Sequence, residues 1–508
     1  MENKQKNILA FVLILFIAAI IRIINLRRAS FWKDEALTVL TASQNNITDL
    51  IKNLVLIHQN HPPLYFILMH YWGTIFGFSE FSMRFVSVIF SLGIVLMTYL
   101  LAKEFFEHKT AFVAALLSTF SIINLIYAQE AKQYSMLGFL VLLSTYFLVK
   151  TIKSERKNRK KFMNFYFISS ILMFYTHHIG LIAFFLQNLF LLFFERKVLF
   201  SKRAIIWEIV CFLLYLPLIL LIVWAFSNGQ HDVISLMLAR NFPWFIANLG
   251  YLNLLWVGLI FLLLSLVFYF KYKNTKKIVK SYQNFEEIIT QGKNKILNSS
   301  LFFIVLIYIT GSVIIGTKYL HPYFITKYPY FILAFTHIFV ARIIILLFKK
   351  KKLIISLTII LLINIALIIN FYSVTVKSDW REATEVIKEN IKSNDFIVYP
   401  GGDNIAPFLY YFPNKSFNYS ALPEIYSYFS MTKFSEKELR APEIENPGAF
   451  KSIKEKMQEK NGSIWVVHYY RYQLREPFDD FAQKNLKLQY ERIFDENNNL
   501  IIQHYTLD

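Results

Sequence analysis

The sequence predicts a polytopic α-helical membrane protein with a C-terminal external α/β domain. Three observations carry that reading. Apolar runs of about 20 residues, each long enough to cross a bilayer, recur through the first three-quarters of the chain. Every second loop between them is basic. Past residue 376 the pattern changes to mixed charge and short amphipathic segments. The composition agrees. Of 508 residues, 56% are hydrophobic and only 17% charged, with 51 Phe, which is too apolar for a soluble chain of this length.

Spans are expected near 7–25, 83–102, 110–128, 133–150, 163–178, 180–195, 204–226, 250–270, 300–316, 328–348 and 353–372, about eleven in all. The first follows a basic start and lacks a small-x-small cleavage site, so it reads as an uncleaved anchor rather than a signal peptide. The basic loops are Lys103 to Lys109, Lys150 to Lys161, Arg196 to Arg203, Lys271 to Lys295 and Lys349 to Lys352. They share one side, which the positive-inside rule makes cytoplasmic. The N-terminus then lies inside and the C-terminal domain outside the cytoplasmic membrane.

The net charge of +20 does not signal nucleic acid. Residues 377–508 hold 17 basic and 20 acidic side chains, so about +23 belongs to the loops of the membrane part. The lone cysteine, Cys211, forms no intrachain disulfide and no cysteine-based metal site.

The chain therefore divides into a transmembrane domain, 1–376, with a long external first loop at 26–82, and a soluble domain, 377–508. Within the loop, Ile47, Leu50, Ile51, Leu54 and Val55 recur at helical spacing, as in a helix lying at the membrane interface. His61-Pro62-Pro63 breaks it. Leu64 to Phe78 reads as an interfacial or re-entrant helix, because counting it as a span would place the later basic loops outside. In the C-terminal domain, Trp380, Ala383, Val386, Ile387 and Ile391 form a helical stripe. Asp395 to Tyr399 and Ser463 to His468 look like strands. Leu488 to Phe494 and Leu500 to Tyr505 flank a hairpin signal at Asn497-Asn498-Asn499.

An acidic pair, Asp34-Glu35, stands just beyond the first span, preceded by Arg27, Arg28, Phe31, Trp32 and Lys33. Charge at a membrane mouth is costly to hold and marks a candidate site. Arg22, Arg27 and Arg28 fall on the external side, against the charge rule. They either snorkel to headgroups or form a cationic patch for a phosphate.

Several segments in order resemble the GT-C superfamily of membrane glycosyltransferases, in the branch of protein O-mannosyltransferases and lipid A aminoarabinose transferases. They are Phe31-Trp32-Lys33-Asp34-Glu35-Ala36, His61-Pro62-Pro63-Leu64-Tyr65, Ser79 to Phe85, Tyr127 to Tyr134, Thr176-His177-His178 and Asp379-Trp380-Arg381. Lys132 and Lys327-Tyr328 stand where arginine is common in relatives, which keeps the charge and loses the bidentate geometry. The resemblance implies transfer of a sugar from a polyprenyl-phosphate carrier to an acceptor hydroxyl on the external face, with inversion. By family position Asp34 is the base and Glu35 positions it or the acceptor. Arg84, Lys132, Glu130, His61, Arg27, Lys327 and Tyr328 are candidates for binding the donor phosphate or sugar.

Each assignment has a plainer reading. Asp34-Glu35 could be a solvated pair or partner Arg27 or Arg28. Arg84 could pair with Glu80 one turn away. Glu130 and Lys132 could be an interfacial ion pair, and His61 could only shape a turn. A metal role for His177 and His178 needs further partners. A monophosphate leaving group can be neutralised by basic residues, which calls for no metal or other cofactor, and the part of a metal ion stays open. The high Lys, Ile and Asn content looks bacterial and favours undecaprenyl phosphate as carrier. The acceptor stays open among lipid, glycan, cell-wall polymer and protein. A transporter or lipid flippase explains the spans, but not the external domain or the acidic pair.

Overall fold

The computed structural model describes residues 2–56, 61–227, 332–373, 379–399, 405–412, 418–421, 448–469, 475–494 and 500–507. Its helices are α1 (Glu2–Ile23), α2 (Lys33–Ala42), α3 (Ile47–Leu56), α4 (Leu64–Phe76), α5 (Glu80–Phe105), α6 (His108–Phe120), α7 (Ile122–Ala128), α8 (Tyr134–Lys153), α9 (Arg156–Thr176), α10 (Gly180–Phe194), α11 (Arg196–Leu199), α12 (Lys202–Ser227), α13 (Ile332–Leu347) and α14 (Lys350–Ser373). The C-terminal part adds α15 (Trp380–Asn390), β1 (Phe396–Tyr399), α16 (Ile405–Tyr411), β2 (Asn418–Ala421), α17 (Gly448–Lys460), β3 (Ile464–Tyr469), α18 (Arg475–Asn485), β4 (Leu486–Ile493) and β5 (Leu500–Leu507).

Among the described residues five helices are long and apolar enough to cross a membrane: most of α1, α5, α8, much of α12 and α14. A sixth span arises if α6 and α7 count as one helix bent by 57°. The expected spans at 250–270 and 300–316, the basic loop Lys271 to Lys295 and the boundary at 376–377 lie outside the described residues. α5 packs against α6 and α8, α8 against α9, and α13 against α6. Small side chains line these seams, among them Ala111, Ala114, Ala115, Ser144, Ser170 and Ala341, all buried. Small residues let apolar helices approach where no hydrophobic gain separates helix from lipid.

The expected span 110–128 is broken. Ser121 is extended and caps α7, its Oγ accepting from Asn124 N at 3.4 Å. A break strands helix-end carbonyls. Arg22 answers them: its guanidinium donates to Ser118 O and Thr119 O at 3.2 Å each, to Ala18 O and to Ser91 Oγ. Arg22 is fully buried, so it neither snorkels nor joins an exposed cationic patch. It staples α1 to α5 and to the break.

The first loop folds as two short helices, α3 and α4, at the expected places. The acidic pair, expected in a loop, instead opens a third helix, α2. The C-terminal part is an α/β unit with one mixed sheet, ordered β2-β1-β3-β5-β4. β1 runs parallel to β2 and β3, and β5 runs antiparallel to β3 and β4. Period-two alternation gives the sheet two apolar faces. Phe396, Val398, Ile464 and Val466 meet Met457 of α17 and Phe478 of α18. Ile397, Trp465, Val467 and Ile502 share a core with Trp380 of α15 and Phe408 of α16. α15 and α16 thus lie between the sheet and the helical bundle, and α16 packs on α2.

Candidate active site

Glu35 sits in the first turn of α2 with no exposed surface. Burying a carboxylate demands a partner. Arg84, one turn into α5, grips it bidentately: Nε to Oε1 at 2.8 Å and an Nη to Oε2 at 2.8 Å. Ala131 N donates to Oε1 at 2.9 Å and Trp32 N to Oε2 at 3.4 Å. The other Arg84 donors go to the carbonyls of Leu26, Ala29 and Ser30 at 2.7–3.1 Å. A guanidinium has five N–H groups, and all five are engaged. Arg84 also stacks over Phe31, 5.1 Å from the ring centre. Its expected role at the phosphate is therefore left without a donor. Nor is Glu80 its partner, as the plainer reading had it.

Glu80 belongs to a second clasp. Arg381 donates to Glu80 Oε1 at 2.6 Å, and Tyr411 Oη donates to the same oxygen at 2.7 Å. Tyr411 Oη in turn accepts from Phe31 N at 2.7 Å. Ser30 Oγ donates to Asp379 Oδ1 at 2.9 Å and accepts from Arg381 N. Tyr410 Oη donates to Phe78 O. The C-terminal unit thus holds the chain segment immediately ahead of the acidic pair.

With Glu35 locked, Asp34 projects elsewhere, since successive helical residues point about 100° apart. Asp34 is only half-buried. Its carbonyl accepts from Thr38 Oγ1 at 2.8 Å, and Thr38 Oγ1 accepts from Lys132 Nζ at 3.2 Å. Lys132 is buried and enters from the turn before α8, where its amide donates to Glu130 O. Ser87 Oγ donates to Glu130 O at 2.5 Å and fixes that turn on α5.

His177 completes the cluster from the turn after α9. Its ring lies 6.3 Å, centre to centre, from His61 and from Tyr134. Its Nδ1 accepts from Ile179 N, which leaves the ring proton on Nε2. Tyr65, buried in α4, lies within electrostatic reach of Glu35 and Glu130; burial pushes its hydroxyl well above the ordinary phenol range. His178 Nδ1 bonds Tyr215 Oη at 2.6 Å instead of joining the cluster. Among the described residues no group of three or more His, Cys, Asp or Glu could hold a metal.

Residues 60–224 match the family profile described as dolichyl-phosphate-mannose-protein mannosyltransferase. No curated protein sequence matches the chain. Among solved structures, ArnT from Cupriavidus metallidurans bound to undecaprenyl phosphate superposes with a TM-score of 0.58 at 10% identity. That match covers 98% of this chain and 97% of ArnT. Apo ArnT gives 0.55 at 10% identity, covering 99% and 98%. The chain has the GT-C fold. At this identity the likeness speaks to fold alone. The structure brings Asp34, Glu35, Glu130 and Lys132 together through Thr38 and the turn before α8, and His61 joins them through His177 and Tyr134. Arg27 is exposed and lines a separate groove, while Lys327 and Tyr328 lie outside the described residues. Tyr65, Thr38 and the Glu80–Arg381–Tyr411 clasp were missed by sequence reasoning. Tyr65 and Arg381 stand inside segments that carry the resemblance, His61 to Tyr65 and Asp379 to Arg381, and could have been found there.

Proposed function

We propose that the chain is an integral membrane glycosyltransferase that moves a sugar from a polyprenyl-phosphate donor to an acceptor hydroxyl. The acceptor side is the external face of the cytoplasmic membrane, and undecaprenyl phosphate is the carrier. The observation that carries this reading is the placement of Asp34 and Lys132 either side of Thr38, beside a Glu35 already locked by Arg84. ArnT with bound undecaprenyl phosphate, matched along nearly its whole length, supports the carrier.

The acceptor O–H gives its proton to the Asp34 carboxylate as its oxygen attacks the anomeric carbon. The bond from that carbon to the phosphate oxygen breaks, and its electron pair leaves with the phosphate. One displacement inverts the anomeric centre. Lys132 Nζ offsets the charge gathering on the phosphate. Glu35 and Arg84 touch neither reactant; they hold the first turn of α2. Glu130, His61 and His177 face the sugar or acceptor.

Asp34 and Lys132 should separate kinetically. Asp34→Asn keeps shape but cannot take the proton, so kcat should fall about 10²–10⁴-fold at unchanged donor KM. Lys132→Ala removes a charged contact worth about 1.5–3 kcal/mol, so donor KM should rise roughly tenfold to hundredfold. Wild-type turnover by Asp34→Asn would refute the base, and unchanged donor dependence in Lys132→Ala would refute the phosphate contact.

A further inference from the structure

A groove of about 480 Å³ opens at the outer end of α1, lined by Ile23, Asn25, Leu26, Arg27, Arg28, Phe81 and Arg381. It contains none of the residues clustered around Asp34 and Lys132. Three guanidinium groups converge on it. Arg381 pairs with Glu80, Arg28 reaches Ser373 O at 3.4 Å, and both Arg27 and Arg28 are exposed. Its lining thus holds three arginines and no acidic side chain. Ile23, Leu26 and Phe81 give the lining an apolar part beside the arginines, and exposed Ile20, Ile23 and Ile24 on α1 and Phe81 on α5 continue that apolar surface. Tyr71, Ile75 and Phe76 on α4 extend the exposed apolar surface nearby.

We infer that this groove binds the phosphodiester headgroup of an anionic phospholipid in the adjoining leaflet. The acyl chains of such a lipid would lie down the exposed face of α1, with the phosphate held at the rim by Arg27 and Arg28. A free anion satisfies the arginines but not the adjoining apolar surface, and a zwitterionic lipid satisfies that surface but not the arginines. The site also bears on the C-terminal unit. Arg381 spans groove and clasp, donating to Arg27 O as well as to Glu80. A lipid phosphate at Arg27 would therefore bear on the contact that seats the C-terminal unit over α2. This inference rests on the membrane reading and not on the transfer chemistry.

The test uses the full chain in nanodiscs of phosphatidylcholine with and without phosphatidylglycerol, and native mass spectrometry of the lipid retained on release. Phosphatidylglycerol should be retained in preference to phosphatidylcholine. Arg27→Gln with Arg28→Gln should weaken that retention, by about fivefold per arginine. Arg27→Lys with Arg28→Lys should retain most of it, and the melting temperature of each variant shows whether it folds. Millimolar inorganic phosphate should displace little of the lipid. Equal retention of both lipids, unchanged retention in the glutamine variant, or full displacement by phosphate would overturn the inference. So would loss of undecaprenyl phosphate binding with phosphatidylglycerol retention intact, since the groove would then belong to the carrier's own site.

Discussion

Arg84 donates every N–H it has to protein acceptors, two of them to Glu35. A buried ion pair of this kind fixes geometry more than it adds net stability, yet losing one partner strands the other. Lysine keeps the charge of Arg84 but cannot form the planar fork. Arg84→Lys should therefore lower the melting temperature in detergent, and Arg84→Ala, which strands Glu35, should cost about 3–5 kcal/mol. Activity per folded molecule should fall through kcat, because Asp34 is misaimed. A raised donor KM with unchanged stability would instead put Arg84 at the phosphate. At this scale the sequence was half legible. Asp34-Glu35 stood out because charge beside lipid is costly. Which of the two is locked depends on a side chain 49 positions away on another helix. No local spacing reports that. The same holds for Arg22, whose partners are carbonyls freed by a helix break.

Elements that are long apolar runs, such as α5, α8 and α14, and the β4–β5 hairpin with its asparagine turn signal, were readable from the sequence. α2 was not, because its two acidic residues and two threonines dilute the apolar signal; burial against α4 and α16 is what settles it. β2 is four residues long and mostly polar, and it forms as an edge strand on β1. The joint between β1 and β3 makes a sharper prediction. Asp395 Oδ1 accepts from Ser463 N at 3.0 Å and Ser463 Oγ at 2.6 Å, and Oδ2 accepts from Lys392 N at 2.9 Å. Beside it, a Cβ on Gly462 would fall 2.0 Å from Asn394 O, so only glycine permits the close approach. Burial alone would raise the Asp395 carboxyl, but these hydrogen bonds outweigh it and hold the group below its ordinary 3.8. The sign follows. A depressed folded value gives stability that is present above 3.8 and lost as pH falls through the lowered value. Hydrogen exchange on the full chain should show β1 and β3 loosening below that pH. In Asp395→Asn they should be weaker at neutral pH and no longer acid-sensitive. Unchanged protection in the variant would reject the joint.

The described basic turns gather at one end of the helices. Lys150 and Lys153 at the end of α8 reach Glu104 at the end of α5. Arg342 on α13 reaches Glu107 before α6, and Arg203 at the start of α12 reaches Asn164 on α9. The opposite end carries Asp34, Glu80, Lys132, His177 and the C-terminal unit. This polarity was legible in the sequence because lysine and arginine were counted loop by loop. The seating of the C-terminal unit was not, because it depends on Ser30, Glu80 and Tyr411 meeting in space. The basic end should face the cytoplasm. Cys211 is buried, so introduced cysteines give a clean signal. An impermeant maleimide added to intact cells should label Glu389→Cys and spare Lys157→Cys, and the reverse pattern would invert the orientation. The central claim, sugar transfer from a polyprenyl phosphate by this chain, is met most directly by mass spectrometry of membrane lipids and envelope with and without the gene. Cells lacking it should accumulate a polyprenyl-phosphate-linked sugar and lose one sugar substituent from an envelope acceptor. The wild-type chain should reverse both changes and Asp34→Asn neither. An unchanged carrier pool and an unchanged envelope would contradict the account.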